Sequence, residues 1–349
     1  MLPLEAILAP PSPTPPPGRR IGRSREGREI VAHRFGQGPL RLSLIAGCHS
    51  DEPVGPAMLR RLVAFLAALP ADDPLLASFT WSVVPHVNPD GEEKNRAWSE
   101  VTVDAVDSRG EPDRAFDLAA YAGTTFRELP GDDMEFGFPR GTDDASARPE
   151  NRAVAAFLAE TAPLHLHASF HGMFFATGPW FLIEPAWIDR SLQLRENLRR
   201  RVEEMGYRVY DVDRGGEKGF ARVDRGFTTR PDSRAMVAYF LERGDPETAA
   251  KFRPSSMEYA RSLGGDPFTM VSEMPLFLTP PAAGNGPDTF GDPALRLDLA
   301  RLARTAGPEA VRAEAERRGL RGMPLRDQMR LQLAFLAEAL VLVSGDGNR

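Results

Sequence analysis

Apolar positions along the chain recur with two spacings, and the alternation between them sets the expected elements. Glu29–Phe35 reads as a strand, and Leu40–Ala46 as a more apolar one that lies deeper in a sheet. In Pro56–Leu69 the residues Met58, Leu59, Leu62, Val63, Leu66 and Leu69 keep the spacing of an amphipathic helix. A third strand is expected over Phe79–Val87, closed by Asn88-Pro89-Asp90-Gly91 as a turn. Residues 92–148 are polar, rich in Gly, Asp and Arg, and predict no regular element. Pro149–Glu160 is expected to be a short helix opened by proline. Strands follow at Leu164–Phe170 and Trp180–Glu184, helices at Ile188–Met205 and Asp232–Arg243, and a late strand at Phe268–Ser272.

The two ends read differently. Residues 1–20 contain seven prolines and are expected to be extended or disordered, touching the body at most through Leu4, Ile7 and Leu8. Thr279–Pro293 is rich in Pro and Gly, and beyond it the pattern is almost wholly helical. Leu325–Val343 places Met329, Leu333, Leu336 and Leu340 on one face, as a packed core helix does. Strands alternating with helices predict an α/β fold, a three-layer α/β/α sandwich around a mixed, mostly parallel twisted sheet, with an added C-terminal helical segment. The parts are a Pro-rich leader (1–20), one α/β domain (21–280), and a Pro/Gly linker with a helical tail packed on that domain (281–349).

Composition narrows the chemistry. The chain has 349 residues, 42% apolar and 26% charged, which is a globular balance with enough length for one large core. Its one cysteine, Cys48, excludes an internal disulfide framework and any multi-cysteine zinc site. A metal site must then come from carboxylates and the histidines at 33, 49, 86, 165, 167 and 171. With 43 basic against 49 acidic residues, the charge of −6 argues against a nucleic-acid partner. No apolar run has the length of a membrane span, and the first residues lack the marks of a secretory signal. A cytoplasmic setting without a membrane partner is the expectation, and the lone thiol agrees with it.

Three stretches carry candidate chemistry. In IAGCHSDEPVG, His49 and Glu52 stand three apart where a buried strand ends, the edge at which open α/β sheets bind ligands. An imidazole and a carboxylate at that spacing can share a metal. In LHLHASFHG, the alternation of a strand puts His165, His167 and His171 on one face. His171 lies at the strand end, as His49 does, and completes a set of two histidines and one carboxylate that leaves a fourth zinc position open for water. His165 and His167 lie deeper, as hydrogen-bonded supports. In FTMVSEMPLF, Glu273 is either a satisfied edge glutamate or a general base beside the metal.

Taken in order, these stretches resemble the zinc metallocarboxypeptidases of the pancreatic carboxypeptidase-type fold. The matching elements are His49–Glu52 as H-x-x-E, Asn88–Gly91 as N-P-D-G, Arg96 soon after it, His171-Gly172 at a strand end, and Glu273 on a late strand. IGRSREGREI is similar to that family's first hairpin, and SSMEYARSLGGDPFTMVSE to the segment before its catalytic glutamate. The resemblance spans about residues 20 to 280. It implies that His49, Glu52 and His171 bind one Zn2+ per chain, that Glu273 activates water, and that Arg96 steadies the oxyanion. Arg96 otherwise reads as a solvated loop arginine.

The departures concern substrate. Family members that grip a free C-terminal carboxylate usually carry an Asn-Arg pair within a D-L-N-R-N-type stretch. Here the nearest counterpart reads Asp117-Leu118-Ala119-Ala120-Tyr121, without the arginine fork suited to a carboxylate. Arg127 and Arg140 are candidate replacements, and Tyr259 or Tyr239 would have to stand for the family's mobile tyrosine. The acidic run Pro130-Gly131-Asp132-Asp133-Met134-Glu135 either favours a basic substrate or is a solvated loop. The expected activity is zinc-dependent hydrolysis of a peptide bond, with N-acyl amino acid deacylation as the alternative and a silent binding protein as the third reading.

Overall fold

The computed structural model describes residues 2–9, 15–141, 144–281, 288 and 293–346. Its strands are β1 (Arg19–Arg23), β2 (Glu29–Phe35), β3 (Leu40–Ala46), β4 (Phe79–Val84), β5 (Thr102–Val106), β6 (Pro112–Phe116), β7 (Leu166–Ala176), β8 (Trp180–Ile183), β9 (Arg222–Asp224), β10 (Phe227–Thr229), β11 (Phe268–Leu278) and β12 (Arg321–Gly322). The main sheet runs β1-β2-β4-β3-β7-β11-β8-β10-β9, with β12 added on β11. Its centre, β4-β3-β7-β11, is parallel, and the flanks β1-β2-β4 and β11-β8 are antiparallel. This is the expected mixed sheet, and β1 with β2 forms the expected first hairpin.

The helices are α1 (Leu4–Leu8), α2 (Val54–Ala68), α3 (Pro74–Ser78), α4 (Pro89–Ser99), α5 (Leu118–Thr124), α6 (Pro149–Ala159), α7 (Leu192–Glu204), α8 (Ser233–Glu242), α9 (Pro246–Lys251), α10 (Ser256–Ser262), α11 (Pro293–Ala306), α12 (Pro308–Arg318) and α13 (Leu325–Asp346). Leu42, Leu44, Leu166, Ala168 and Phe170 point to the face covered by α2, α7 and α13. Met58, Leu59, Leu62 and Val63 of α2 are fully buried there, each aliphatic side chain contributing about 2 kcal/mol by its burial. Ile45, Cys48 and Val84 face the other layer, with Val154, Phe157 and Leu158 of α6. The alternation along β7 therefore turns His167, Ser169 and His171 away from the larger core.

Several expectations are corrected. Asn88-Pro89-Asp90-Gly91 opens α4 rather than closing a turn. Asn88 Oδ1 accepts the Gly91 N–H at 3.0 Å, proline takes the first helical position, and Asp90 lies in the first turn. The unassigned stretch after it contains the β5–β6 hairpin and α5; Asp107 Oδ1 organises the hairpin turn by accepting the N–H groups of Arg109 and Glu111. The leader is not extended throughout, because residues 4–8 are helical and bury Ile7 and Leu8 against α2 and α13. Its prolines at 10, 11 and 13, and most of the expected linker (282–287 and 289–292), lie outside the described residues.

Candidate metal centre

The chain leaves β3 through Gly47, whose φ of +77° suits glycine and where an added Cβ would meet the His86 ring at 2.5 Å. This tight exit places His49 and Glu52 in the short link to α2. Gly55, in the first turn of α2, lets the helix approach β7 closely, since a Cβ there would lie 2.4 Å from the Phe170 carbonyl oxygen. One residue on, β7 carries His171, in register with Glu273 of β11. The pairing of β3 with β7 ends at Ala46 and Phe170, so His171 sits in the gap where β3 has turned away.

His49 Nδ1 lies 2.7 Å from Glu52 Oε1, His171 Nδ1 lies 3.0 Å from Glu52 Oε2, and the two Nδ1 atoms are 3.2 Å apart. The three donor atoms fall within 4.8 Å of one another, and all three residues are buried. Each imidazole has a partner on its far side: Glu135 Oε2 at 2.9 Å from His49 Nε2, and Ser169 Oγ at 2.7 Å from His171 Nε2. In the tautomer in which both Nε2–H groups donate to those oxygens, the Nδ1 lone pairs face Glu52. Glu52 Oε2 is buried and accepts no hydrogen bond from the described residues, despite its closeness to His171 Nδ1. Two inward lone pairs and an unpartnered carboxylate oxygen are a poor protein-only arrangement and a good donor set for zinc.

The charges around this set are uneven. Burial pushes the Glu273 carboxyl well above its usual range, and the carboxylates of Glu52 and Glu135 add to the rise. A cation at the triad would act in the opposite direction. Arg127 Nη1 donates to Asp51 Oδ1 at 2.8 Å and to Glu52 Oε1 at 3.1 Å, and the guanidinium lies over the Phe174 ring at 5.1 Å. Burial opposes its charge, yet Asp51 and Glu52 raise the pKa of Arg127 further. Its Nε and Nη2 have no hydrogen-bond partner among the described residues, and a quarter of the side chain is exposed.

The structure thus brings His49, Glu52, His171, Glu273 and Arg127 together, and leaves three other candidates elsewhere. Arg96 rides the outer face of α4, 58% exposed and paired with Glu93 and Glu100. Arg140 donates through Nη2 to the Phe252 carbonyl. Tyr259 packs beside Phe138 and donates its hydroxyl to the Ala155 carbonyl. The stretch from Asp117 to Tyr121 is a core helix, with Asp117 capping α5 and Tyr121 packed on Trp98. From the acidic run, Glu135 reaches the triad through His49 Nε2. Sequence reasoning missed Asp51, Glu135 and Ser169. The signal for Glu135 was present: Met134, Phe136 and Phe138 alternate with polar residues, and all three are buried. The inner histidines behave as expected, His165 Nδ1 accepting the Arg41 N–H and His167 Nδ1 lying 3.0 Å from Ser43 Oγ.

The zinc carboxypeptidase family model matches residues 19–174, a stretch that includes His49, Glu52 and His171. No protein of curated function matches the sequence. Among solved structures, a metallo-carboxypeptidase from Burkholderia cenocepacia is 16% identical, with 98% of this chain and 67% of that one covered and a TM-score of 0.45. Bovine thrombin-activatable fibrinolysis inhibitor, solved with tick carboxypeptidase inhibitor, is 13% identical, with 94% and 90% covered and a TM-score of 0.46. Carboxypeptidase A from Helicoverpa armigera is 14% identical, with 85% and 69% covered and a TM-score of 0.42.

Proposed function

We propose that this chain, whose residues 19–174 carry the zinc carboxypeptidase sequence pattern, is a metallopeptidase-like hydrolase of an amide bond. His49, Glu52 and His171 hold one zinc ion, Glu273 is the base, and Arg127 replaces Arg96 as the cation for the acyl oxygen. The observation that carries this reading is the convergence of three buried donor atoms, one of them the unpartnered Glu52 Oε2, beside Glu273. A zinc ion bound there supplies a Lewis acid that acidifies water and polarises a carbonyl.

The chain's own groups do the rest. Glu273 takes a proton from the attacking water at a carboxylate oxygen and delivers it to the leaving nitrogen as the C–N bond breaks. Arg127 offers Nε and Nη2 to the acyl oxygen as negative charge gathers on it. Glu135 and Ser169 hold the two imidazoles by their Nε2 atoms, which fixes the orientation of both rings. The absence of an Asn-Arg pair from Asp117–Tyr121 favours a second reading, removal of an acyl group from an amino acid.

Metal analysis tests the first statement. The purified chain should hold close to one zinc, His49→Ala and His171→Ala should lose it, and retention by both variants would remove the site. Glu273→Gln should keep zinc and lose turnover, so an active Glu273→Gln protein would remove the base. N-blocked dipeptides with free and amidated C-termini separate the two substrate readings, because equal rates on both exclude recognition of a terminal carboxylate.

A further inference from the structure

Asp51 lies beside a metal ligand in sequence, yet its side chain points into the protein and is fully buried. Oδ1 accepts Arg127 Nη1 at 2.8 Å, while Oδ2 has no hydrogen-bond partner among the described residues. The same Nη1 reaches Glu52 Oε1 at 3.1 Å. With Glu52 as its sole acid partner, Arg127 would draw electron density from the carboxylate that must bind the metal. A second carboxylate balances the guanidinium charge and leaves Glu52 free to act as a ligand.

The ring of Phe174 confines the guanidinium from another side, and Arg296 of α11 lies over that same ring at 4.3 Å. If Arg127 swung outwards, Asp51 would remain as a bare buried charge, which is strongly unfavourable. The arginine is therefore held with Nη1 engaged and with Nε and Nη2 unpaired among the described residues. Resting on the reading of Arg127 as the acyl-oxygen cation, we propose that Asp51 is the positioning residue that fixes Arg127 for substrate and keeps it from competing for Glu52.

The test uses the full zinc-loaded chain and Asp51→Asn, which keeps the shape and removes the charge. Zinc content should stay at one per chain. The 15N–1H heteronuclear NOE of Arg127 Nε should be high in the unaltered protein and fall in Asp51→Asn. The value of kcat should drop by about tenfold or more while KM moves by less than about threefold, because the cation acts where charge develops. Combined with Arg127→Ala, Asp51→Asn should cost less than about a further twofold in kcat/KM. An Arg127 Nε signal as rigid in Asp51→Asn as before, or fully additive losses, would overturn the proposal. Lowered Tm with unchanged kcat per zinc would do so too, by reducing Asp51 to a structural acid. Should Asp51→Asn fail to fold, Asp51→Glu moves the carboxylate by one methylene; wild-type kcat in that variant would also overturn it. A zinc-loaded protein that cleaves no amide ends the hydrolase reading, and the Arg127 Nε measurement still decides this one.

Discussion

His167 and His171 share one face of β7, four residues apart, and the molecule treats them in opposite ways. His171 reaches a gap among acids; His167 is sealed below, where burial, with Arg230 adding to it, lowers its pKa to about 3. An unfolded histidine takes its proton near pH 6.5, so the unfolded chain binds more protons than the folded one between those values. The stabilising effect of a neutral His167 is complete above about pH 6.5 and is lost as pH falls towards 3. Denaturant titrations at pH 7.5 and 5 should therefore show a smaller loss of stability for His167→Gln than for the unaltered chain, by about 2 kcal/mol. Equal losses would show that His167 does not contribute. At this scale the candidate ligand set was legible because polar residues at the ends of apolar strands have no core to serve. Arg127 was harder to identify. Arg96 follows the Asn-Pro-Asp-Gly stretch closely, but that stretch starts a helix, and about two turns of helix carry Arg96 out to solvent.

Among the elements, α4 does more than continue the chain. Asn95, buried within it, donates through Nδ2 to the carbonyls of Ser50 and Phe126 and accepts the Phe126 N–H. It joins the link that carries His49 and Glu52 to the segment that carries Arg127. Asn88 adds a second tie, its Nδ2 donating to Glu128 Oε1 at 2.7 Å. Asn95→Ala should cost about 2–3 kcal/mol by denaturant titration, since several buried groups lose partners at once. A cost below about 0.5 kcal/mol would mean that water replaces them freely. Asn88→Ala removes a helix cap and should cost about 1 kcal/mol. The strongly periodic elements, β3, α2, β7 and β11, were readable because one face of each is apolar. The β5–β6 hairpin was not, because its strands are largely exposed and it meets the body mainly through Ala115 and Phe116.

The molecule as a whole is closed by α13. This helix buries Leu331, Leu333, Phe335 and Leu336, and its Gln332 donates to the His171 carbonyl at 3.2 Å, on the side where β3 no longer pairs. Arg330 draws together Glu5 of α1, Asp107 of the hairpin and Asp327 of its own helix. Asp107 and Asp327 are fully buried at the side chain, and Arg330→Ala leaves them to Arg326 and to neutral donors from Arg109, Glu111, Ser108 and Tyr207, so it should cost about 2–3 kcal/mol. Thermal or denaturant unfolding measures this, and a change below about 1 kcal/mol would place the cluster in contact with water. The sequence pattern revealed a core helix there, but not the polar side chains by which it reaches β7 and the leader.

The order of strands also sets a timetable. Leu166 at the start of β7 pairs with Leu42 of β3 on one side and Phe268 of β11 on the other, partners far apart along the chain. Such pairings close large loops and form slowly, while α2 and α13 draw on local contacts. During refolding from denaturant, helical circular dichroism should return before zinc uptake, followed by release from a chromophoric chelator. Simultaneous recovery would mean that the parallel centre forms as early as the helices around it.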